Sequence, residues 1–483
     1  MTEERMNYID GEWRGAESGD RYEVTNPADT TEVVATFPRA STEDAENAIE
    51  AAKRATDQWA SMPGPERGSI LRDAAGLLEA RKDEVTEALT REEGKTTAEA
   101  APEVQRAIDI LYYYAEQAAE FGGNIKQASG QNKTLHTVRE PMGVAGLITP
   151  WNYPIAIPTW KLAPALATGN TVVLKPAMQA PTVAAMVVEC LDEAGIPDGV
   201  INLVTGPGRE VGETLTTHGD VDAVSFTGSA AVGEHVYQAA TDDRKRVQAE
   251  MGGKNPAIVT SSADVDEAVD IVGAGALGVT GQACTATSRA IVHEDNYDEF
   301  VEGIVEYAAD IEVGNGLDGA DMGPQANQTE FEGTLEYVDI AVGEGADLRY
   351  GGEALDGDAY ENGYFLQPTV FADVDPEMRI ACEEVFGPVL AVIEVSDFEE
   401  AMAVANDSQY GLSASVVTDD LSEAHSFVAE IEAGVAKVNE KTTGLELHAP
   451  FGGVKDSSTN TYREQGEAGI EFYTTTKTVY LNY

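Results

Sequence analysis

Between residues 143 and 226 short apolar runs alternate with helix-length runs, and this alternation limits the fold more than any other feature of the chain. Val144 to Ile148 reads as a buried strand, Pro158 to Ala167 as a helix and Thr171 to Leu174 as the next strand. Thr182 to Ala194 then reads as a helix, Val200 to Val204 as a strand, Val211 to His218 as a helix and Ala223 to Phe226 as a strand. Strands that are apolar throughout are buried on both faces, so they belong in a parallel sheet covered by helices. The expected fold class is α/β, with a Rossmann-like doubly wound sheet. A second strand-helix series starts near residue 255 and runs to about 445, without an obvious repeat of the first. A chain of 483 residues is too long for one compact core, so two large domains are expected.

The flanks read differently. Residues 1–40 are short strands broken at Gly11, Gly15, Gly19, Asn26 and Pro27. Ser41-Thr-Glu-Asp44 is a capping-box pattern before a helix with Ala45, Ala48, Ile49, Ala52 and Ala55 on one face. Two more helices are expected up to about Phe121. Residues 123–141 are polar and strand-like, and Ile470 to Tyr483 alternates β-branched and aromatic residues.

The stretch Glu250 to Arg289 carries the chemistry. Cys284 follows Gly-Gln-Ala in a small-residue turn that leaves a thiol approachable, and Glu250 precedes a Gly-Gly pair and the apolar run Pro256 to Val259. A thiol and a carboxylate on adjoining turns suit covalent catalysis followed by hydrolysis. Alone, Cys284 would read as a small buried hydrophobe. The Gly206-Pro-Gly208 loop misses the strict dinucleotide spacing. Phe226-Thr-Gly228-Ser229-Ala-Ala-Val-Gly233 is a better phosphate turn, because it closes a strand and opens a helix whose free amides can face a pyrophosphate. The six histidines show no metal-ligand spacing, so no metal is expected.

These segments resemble the aldehyde dehydrogenase superfamily, in which a Glu of E-x-G-G-K and a Cys of G-Q-x-C are general base and nucleophile. Pro150-Trp151-Asn152-Tyr153-Pro154, Lys175-Pro176, Phe226-Thr227-Gly228-Ser229, Glu384-Val385-Phe386-Gly387-Pro388 and Pro450-Phe451-Gly452-Gly453 match further family segments in order and spacing. The resemblance covers essentially the whole chain. It implies three catalytic residues: Cys284 as nucleophile, Glu250 as base and Asn152 as oxyanion donor. It implies cofactor contacts at Trp151, Lys175, Met178, Gly208, Gly228, Ser229, Gly233, Glu384 and Phe386, and a structural role for Arg289. The implied layout is a nicotinamide-dinucleotide-binding domain at 1–122 plus 142–254 and a catalytic α/β domain at 255–448. A small β oligomerisation sheet at 123–141 plus 462–483 would join the chain into a homodimer or homotetramer.

The implied reaction is irreversible oxidation of a small-molecule aldehyde to a carboxylate through a cysteine thioester. Glu250 argues against a coenzyme-A-acylating relative, which characteristically lacks that base. A thiol hydrolase using a histidine is the alternative from another class, and a purely structural descendant is opposed by the intact residue set. Many NAD-preferring relatives carry a Glu three residues after the lysine of the K-P segment, where it repels a 2′-phosphate. Met178 stands there instead, so NADP is expected to be accepted and preferred, with NAD as the other cofactor. The tail from Leu445 to His448 and from Ser457 to Tyr480 is similar to that of α-ketoglutarate semialdehyde (2,5-dioxopentanoate) dehydrogenases of pentose breakdown, whose product is 2-oxoglutarate. Succinate semialdehyde and simple aliphatic aldehydes are the other substrates considered.

Charge and cysteine content set the surroundings. The formal net charge is −54, spread along the chain rather than gathered into a tail. Such a surface disfavours nucleic acid and anionic membranes as partners. Three scattered cysteines argue for a reducing compartment, and neither an apolar leader nor a spanning segment is read, so a cytoplasmic location is expected. Self-repulsion destabilises a compact acidic chain in dilute salt, whereas at about 1 M salt the screening length falls to roughly 3 Å. This points to a salt-rich, haloarchaeal type of cytoplasm. Refolding yield and activity should therefore rise steeply from dilute buffer to molar KCl. Full stability in dilute buffer would contradict the reading.

Overall fold

The computed structural model describes residues 3–483, so the first two residues of the expected 1–122 segment lie outside it. The first strand-helix series builds a seven-stranded sheet. Its order is Arg246–Glu250, Ala223–Thr227, Val144–Ile148, Thr171–Lys175, Ile201–Leu203, Asn7–Ile9 and Glu12–Arg14. The first five strands are parallel. Asn7–Ile9 and Glu12–Arg14 extend the sheet antiparallel, a placement that their short turn-bounded sequences did not reveal.

The order of these strands fixes where a ligand can enter. From Val144–Ile148 the chain steps outward to Thr171–Lys175 and Ile201–Leu203, then crosses back to Ala223–Thr227 and Arg246–Glu250. The direction of winding therefore reverses between Val144–Ile148 and Ala223–Thr227. At such a switch point the two following turns diverge and open a crevice at the carboxyl ends of the strands. Here those turns carry Trp151-Asn152 and Gly228-Ser229.

The second series builds another seven-stranded sheet, ordered Asp347–Tyr350, Thr369–Ala372, Val389–Val395, Thr287–His293, Asn255–Val259, Ser413–Val417 and Val435–Val438. All neighbours are parallel except the edge pair formed by Asp347–Tyr350 and Thr369–Ala372. A third, antiparallel sheet pairs Thr474–Asn482 with Lys133–Pro141 along nine residues, and Ile125–Lys126 with the other edge of Lys133–Pro141. Ile125, Tyr480 and Leu481 are exposed on it. A sheet with so little buried apolar surface needs a covering surface to be stable on its own.

Three local expectations are corrected. Between Ser61 and Phe121 the chain forms three helices, Gly64–Ala80, Lys82–Glu93 and Thr97–Glu120, rather than two. The first break is the single residue Arg81, which has neither glycine nor proline chemistry to announce it. Ile470 to Phe472 end a helix, Gly466–Phe472, and the strand begins only at Thr474. Ile470 and Phe472 are buried in the large core beside the first sheet, so tertiary packing overrides their strand preference. The helix read at Val211 to His218 is also split, into a π-helical turn Gly208–Gly212 and a helix Glu213–Thr217. The capping box at Ser41 forms as expected, with Asp44 as its acidic partner. Among the described residues no helix is long and apolar enough to cross a membrane, and no cluster of three metal-ligating side chains occurs.

Candidate active site

Cys284 is delivered by a strained turn. Helix Val265–Leu277 stops at Gly278, and Val279 and Thr280 then take left-handed backbone with φ of 53° and 56°. β-branched residues rarely adopt this conformation, at a cost on the order of 1–3 kcal/mol each. Their surroundings hold them there. Val279 N donates to the Glu99 carboxylate at 2.6 Å, and Thr280 Oγ1 donates to the Gly323 carbonyl at 3.1 Å. On the other side, Asn255 Nδ2 donates to the Cys284 carbonyl at 2.8 Å.

The half-buried Cys284 lies where two cavities meet, one of about 470 Å³ and one of about 380 Å³, and Ile157 also lines both. Burial pushes its thiol well above the usual range, and the carboxylates of Glu384, Glu250 and Glu464 push it further. Burial and the neighbouring carboxylates therefore both oppose its ionisation.

Asn152 faces the same junction. It is 3% exposed, and its Nδ2 donates to the Gln282 carbonyl at 2.9 Å. An amide nitrogen carries two N–H groups, so one is left for an oxygen in the cleft. The Asn152 backbone carbonyl accepts from Lys95 Nζ at 2.8 Å. Lys95 in turn pairs with Glu103 at 2.6 Å, and the other Glu103 oxygen accepts from the Ile155 and Ala156 amides at 3.2 Å. A buried ion pair thereby fixes the turn that presents Asn152.

The smaller cavity occupies the switch-point crevice. Its walls include Trp151, Asn152, Gly228, Ser229, Glu384 and Phe386. Trp151 and Phe386 pack edge to face, with ring centroids 5.5 Å apart. Ser229 precedes helix Ala230–Asp242 as an exposed cap whose hydroxyl makes no capping bond, so it and the first-turn amides remain available to an anion. A Cβ at Gly233 would come within 2.5 Å of Met251 Sδ, so this glycine lets the helix sit close to the sheet. Gly253 N donates to the Glu384 carboxylate at 2.9 Å, and burial raises that carboxyl to about 7.

Lys175, Met178 and Gly208 stand outside the walls of this cavity. Lys175 is 5% exposed, its Nζ donates to the Pro176 carbonyl at 3.0 Å, and burial lowers it to about 8. It lies beside Gly212 at the end of the Gly208–Gly212 turn. Met178 is half-buried in the turn that follows Lys175, and open space surrounds Gly208. A buried cation whose pKa is shifted by burial alone, free helix amides and a fixed carboxylate suit the phosphates and ribose hydroxyls of a dinucleotide. The side chains present therefore fit a nicotinamide dinucleotide.

Glu250 is held back from both cavities. It ends strand Arg246–Glu250 and is 2% exposed. Its carboxylate accepts from Gly453 N at 2.9 Å and from Ser458 Oγ at 3.1 Å. A Cβ at Gly452 would reach within 2.5 Å of Glu250 Oε1, which explains the glycine in Pro450-Phe-Gly-Gly. Burial raises Glu250 well above the carboxylate range, and Glu464 raises it further, while the Gly453 and Ser458 hydrogen bonds act the other way. Its charge is felt at the Cys284 thiol, which it helps to raise.

Behind Glu250 lie two residues that sequence reasoning did not assign, Lys161 and Glu464. They form an ion pair with side chains 1% and 2% exposed, and Lys161 Nζ also donates to Ser225 Oγ at 2.7 Å. A signal existed for Lys161. It is the lone charge in helix Ala156–Ala167, every residue of which is buried, and a buried ammonium requires a carboxylate. Arg289, read as structural, donates to the Lys254, Val404 and Ala405 carbonyls.

Comparison with known proteins gives a consistent picture. Residues 13–479 match the model of the aldehyde dehydrogenase family. The chain is 61% identical to an alpha-ketoglutarate semialdehyde dehydrogenase of Haloferax volcanii over 483 residues, covering 100% of both chains. It is 44% identical to a 2,5-dioxopentanoate dehydrogenase of Saccharolobus solfataricus over 465 residues, covering 96% of each. Among solved structures, a betaine aldehyde dehydrogenase from Staphylococcus aureus in complex with NAD+ superposes with a TM-score of 0.96 at 36% identity, covering 99% of this chain and 94% of that one.

The contacts to Glu250 generate a pH prediction. A base works in its ionised form, and the Ser458 hydroxyl favours that form. Ser458→Gly should raise the Glu250 pKa and shift the ascending limb of the turnover–pH profile to higher pH, because it removes a hydrogen bond that favours the charged form. An unmoved limb would show that Ser458 does not tune this carboxylate.

Proposed function

The chain belongs to the aldehyde dehydrogenase family, and on that premise we propose that its substrate is 2,5-dioxopentanoate, oxidised to 2-oxoglutarate. The observation that carries this reading is the 61% identity, over the full length, to a relative named for that semialdehyde. Oxidation of an aldehyde to a carboxylate with a nicotinamide dinucleotide is the family's reaction. No histidine lines either cavity, which leaves the thiol-hydrolase alternative without a base.

The roles follow from the geometry. Cys284 loses its proton and attacks the aldehyde carbon. The free Asn152 N–H and the Cys284 backbone amide stabilise the oxyanion that forms. A nicotinamide held by Trp151, Glu384 and Phe386 would supply the acceptor for the hydride lost from the substrate carbon. Glu250 takes a proton from water, which hydrolyses the resulting thioester and frees the acid and the thiol. Trp151, Gly228, Ser229, Glu384 and Phe386 would hold the nicotinamide and phosphate portions, with Gly233 setting the helix behind them. Lys175, Met178 and Gly208 would surround the adenosine end.

Met178 brings no carboxylate to the 2′ position, and the neighbouring Lys175 attracts a phosphate. NADP is therefore accepted and preferred in this reading. The division into 1–122 plus 142–254, 255–448 and 123–141 plus 462–483 is kept, with the third sheet joining the chains of a homodimer or homotetramer in a salt-rich cytoplasm.

One experiment tests substrate and cofactor together. In molar KCl, kcat/KM for 2,5-dioxopentanoate should exceed that for succinate semialdehyde, glutaraldehyde and propanal by about tenfold or more, the scale of one recognised charge. NADP should outperform NAD, and Met178→Glu should shift preference toward NAD by roughly 1–3 kcal/mol. Equal rates with propanal would overturn the substrate, and a strong native preference for NAD would overturn the cofactor assignment.

A further inference from the structure

The larger cavity, on the other side of Cys284 from the cofactor crevice, contains donors that the steps above do not use. One of its walls is a single face of helix Thr97–Glu120, presenting Glu99, Glu103 and Arg106 at helical spacing. The two acids are already satisfied. Glu99 accepts from Thr96 N and Thr96 Oγ1 at 3.0 Å and from Val279 N, and Glu103 holds Lys95 and two backbone amides. Arg106 differs. A guanidinium carries five N–H donors, and that of Arg106 has one side-chain hydrogen bond, to Gln465 Oε1 at 3.1 Å. Glu446 and Asp109 influence it through space without bonding to it.

A second unused donor lines the same cavity. Trp160 is 8% exposed, and its indole N–H is buried without a hydrogen-bond partner. Buried donors left unpaired are costly, and native structures normally satisfy them with protein, water or ligand. The remaining wall near Cys284 includes the apolar Ile157 and Phe451, suited to a short methylene chain.

We propose that Arg106 is the specificity-determining residue that binds the substrate carboxylate, with the Trp160 indole N–H meeting an oxygen of the same 2-oxo acid end. This rests on the reading of the substrate as a semialdehyde that carries a carboxylate. The physical need is clear in a chain of net charge −54, whose average field repels an anion. A planar guanidinium in a partly desolvated cavity offsets that repulsion locally and matches a carboxylate with two parallel N–H donors. Lys441, exposed on the wall of the same cavity, adds a second positive charge.

The test compares wild type, Arg106→Gln and Arg106→Lys in molar KCl, on 2,5-dioxopentanoate and on propanal. Arg106→Gln should lose about tenfold or more in kcat/KM on 2,5-dioxopentanoate, mainly through KM, and stay within about twofold on propanal. Arg106→Lys should recover part of the loss. Propanal turnover also reports that each variant is folded. Glutarate provides a reading that needs no variant: it should inhibit wild-type propanal oxidation competitively, and Arg106→Lys should weaken that inhibition. Equal losses on both aldehydes, or a preference retained in Arg106→Gln, would overturn the role of Arg106 alone. A wild type indifferent to the carboxylate would overturn the substrate reading and this inference together.

Discussion

Burial raises the Cys284 thiol, and three carboxylates around it raise it further. That tension organises the site. Removing charged groups from water at the junction of two cavities strengthens the electrostatic contacts between them. The same burial works against the thiolate and against the carboxylate that must later activate water. The fold manages this with glycine. A Cβ at Gly252 would collide with the Glu384 carboxylate, and one at Gly452 with that of Glu250. Each carboxylate also receives a backbone N–H from the second glycine of a pair, Gly253 or Gly453. The Gly-Gly pairs of the two motifs are thus cradles that keep desolvated acids close to the thiol without crowding it.

The parts of this arrangement legible in the sequence are those carried by short local patterns. Trp151-Asn152 and Gly228-Ser229 follow adjacent strands, and the switch in winding direction brings them to one crevice. Cys284 and Glu384 sit in distinctive small-residue segments, and both line that crevice. The illegible parts are pairings between distant, individually ordinary residues. Lys161 and Glu464 are 303 positions apart, and nothing in either segment names the other. Arg106 looks like any arginine on an amphipathic helix until Gln465 and the cavity wall are in place. The restrained position of Glu250 was also hidden, because it depends on the amide of Gly453 and on the hydroxyl of Ser458, 203 and 208 positions away in the chain.

Charge is divided unevenly between surface and site. The chain has 31 basic residues against 85 acidic ones, yet Lys95, Lys161, Lys175 and Lys254 are all buried. Lys95 holds the Asn152 carbonyl, Lys161 neutralises Glu464, Lys175 stands beside the Gly208–Gly212 turn, and Lys254 follows the Gly252-Gly253 cradle. The acidic exterior thus lies over an interior in which Lys95 and Lys161 are each paired with a buried carboxylate.

The central claim is that Cys284 carries the acyl group and Glu250 releases it. Mass spectrometry of acid-quenched Glu250→Gln enzyme, mixed with aldehyde and nicotinamide dinucleotide in molar salt, addresses it directly. The account predicts that an acyl thioester accumulates on the peptide containing Cys284 in the variant, and only transiently in the wild type. Undiminished turnover by the variant without an adduct, or an adduct on Cys190 or Cys382 instead, would contradict it.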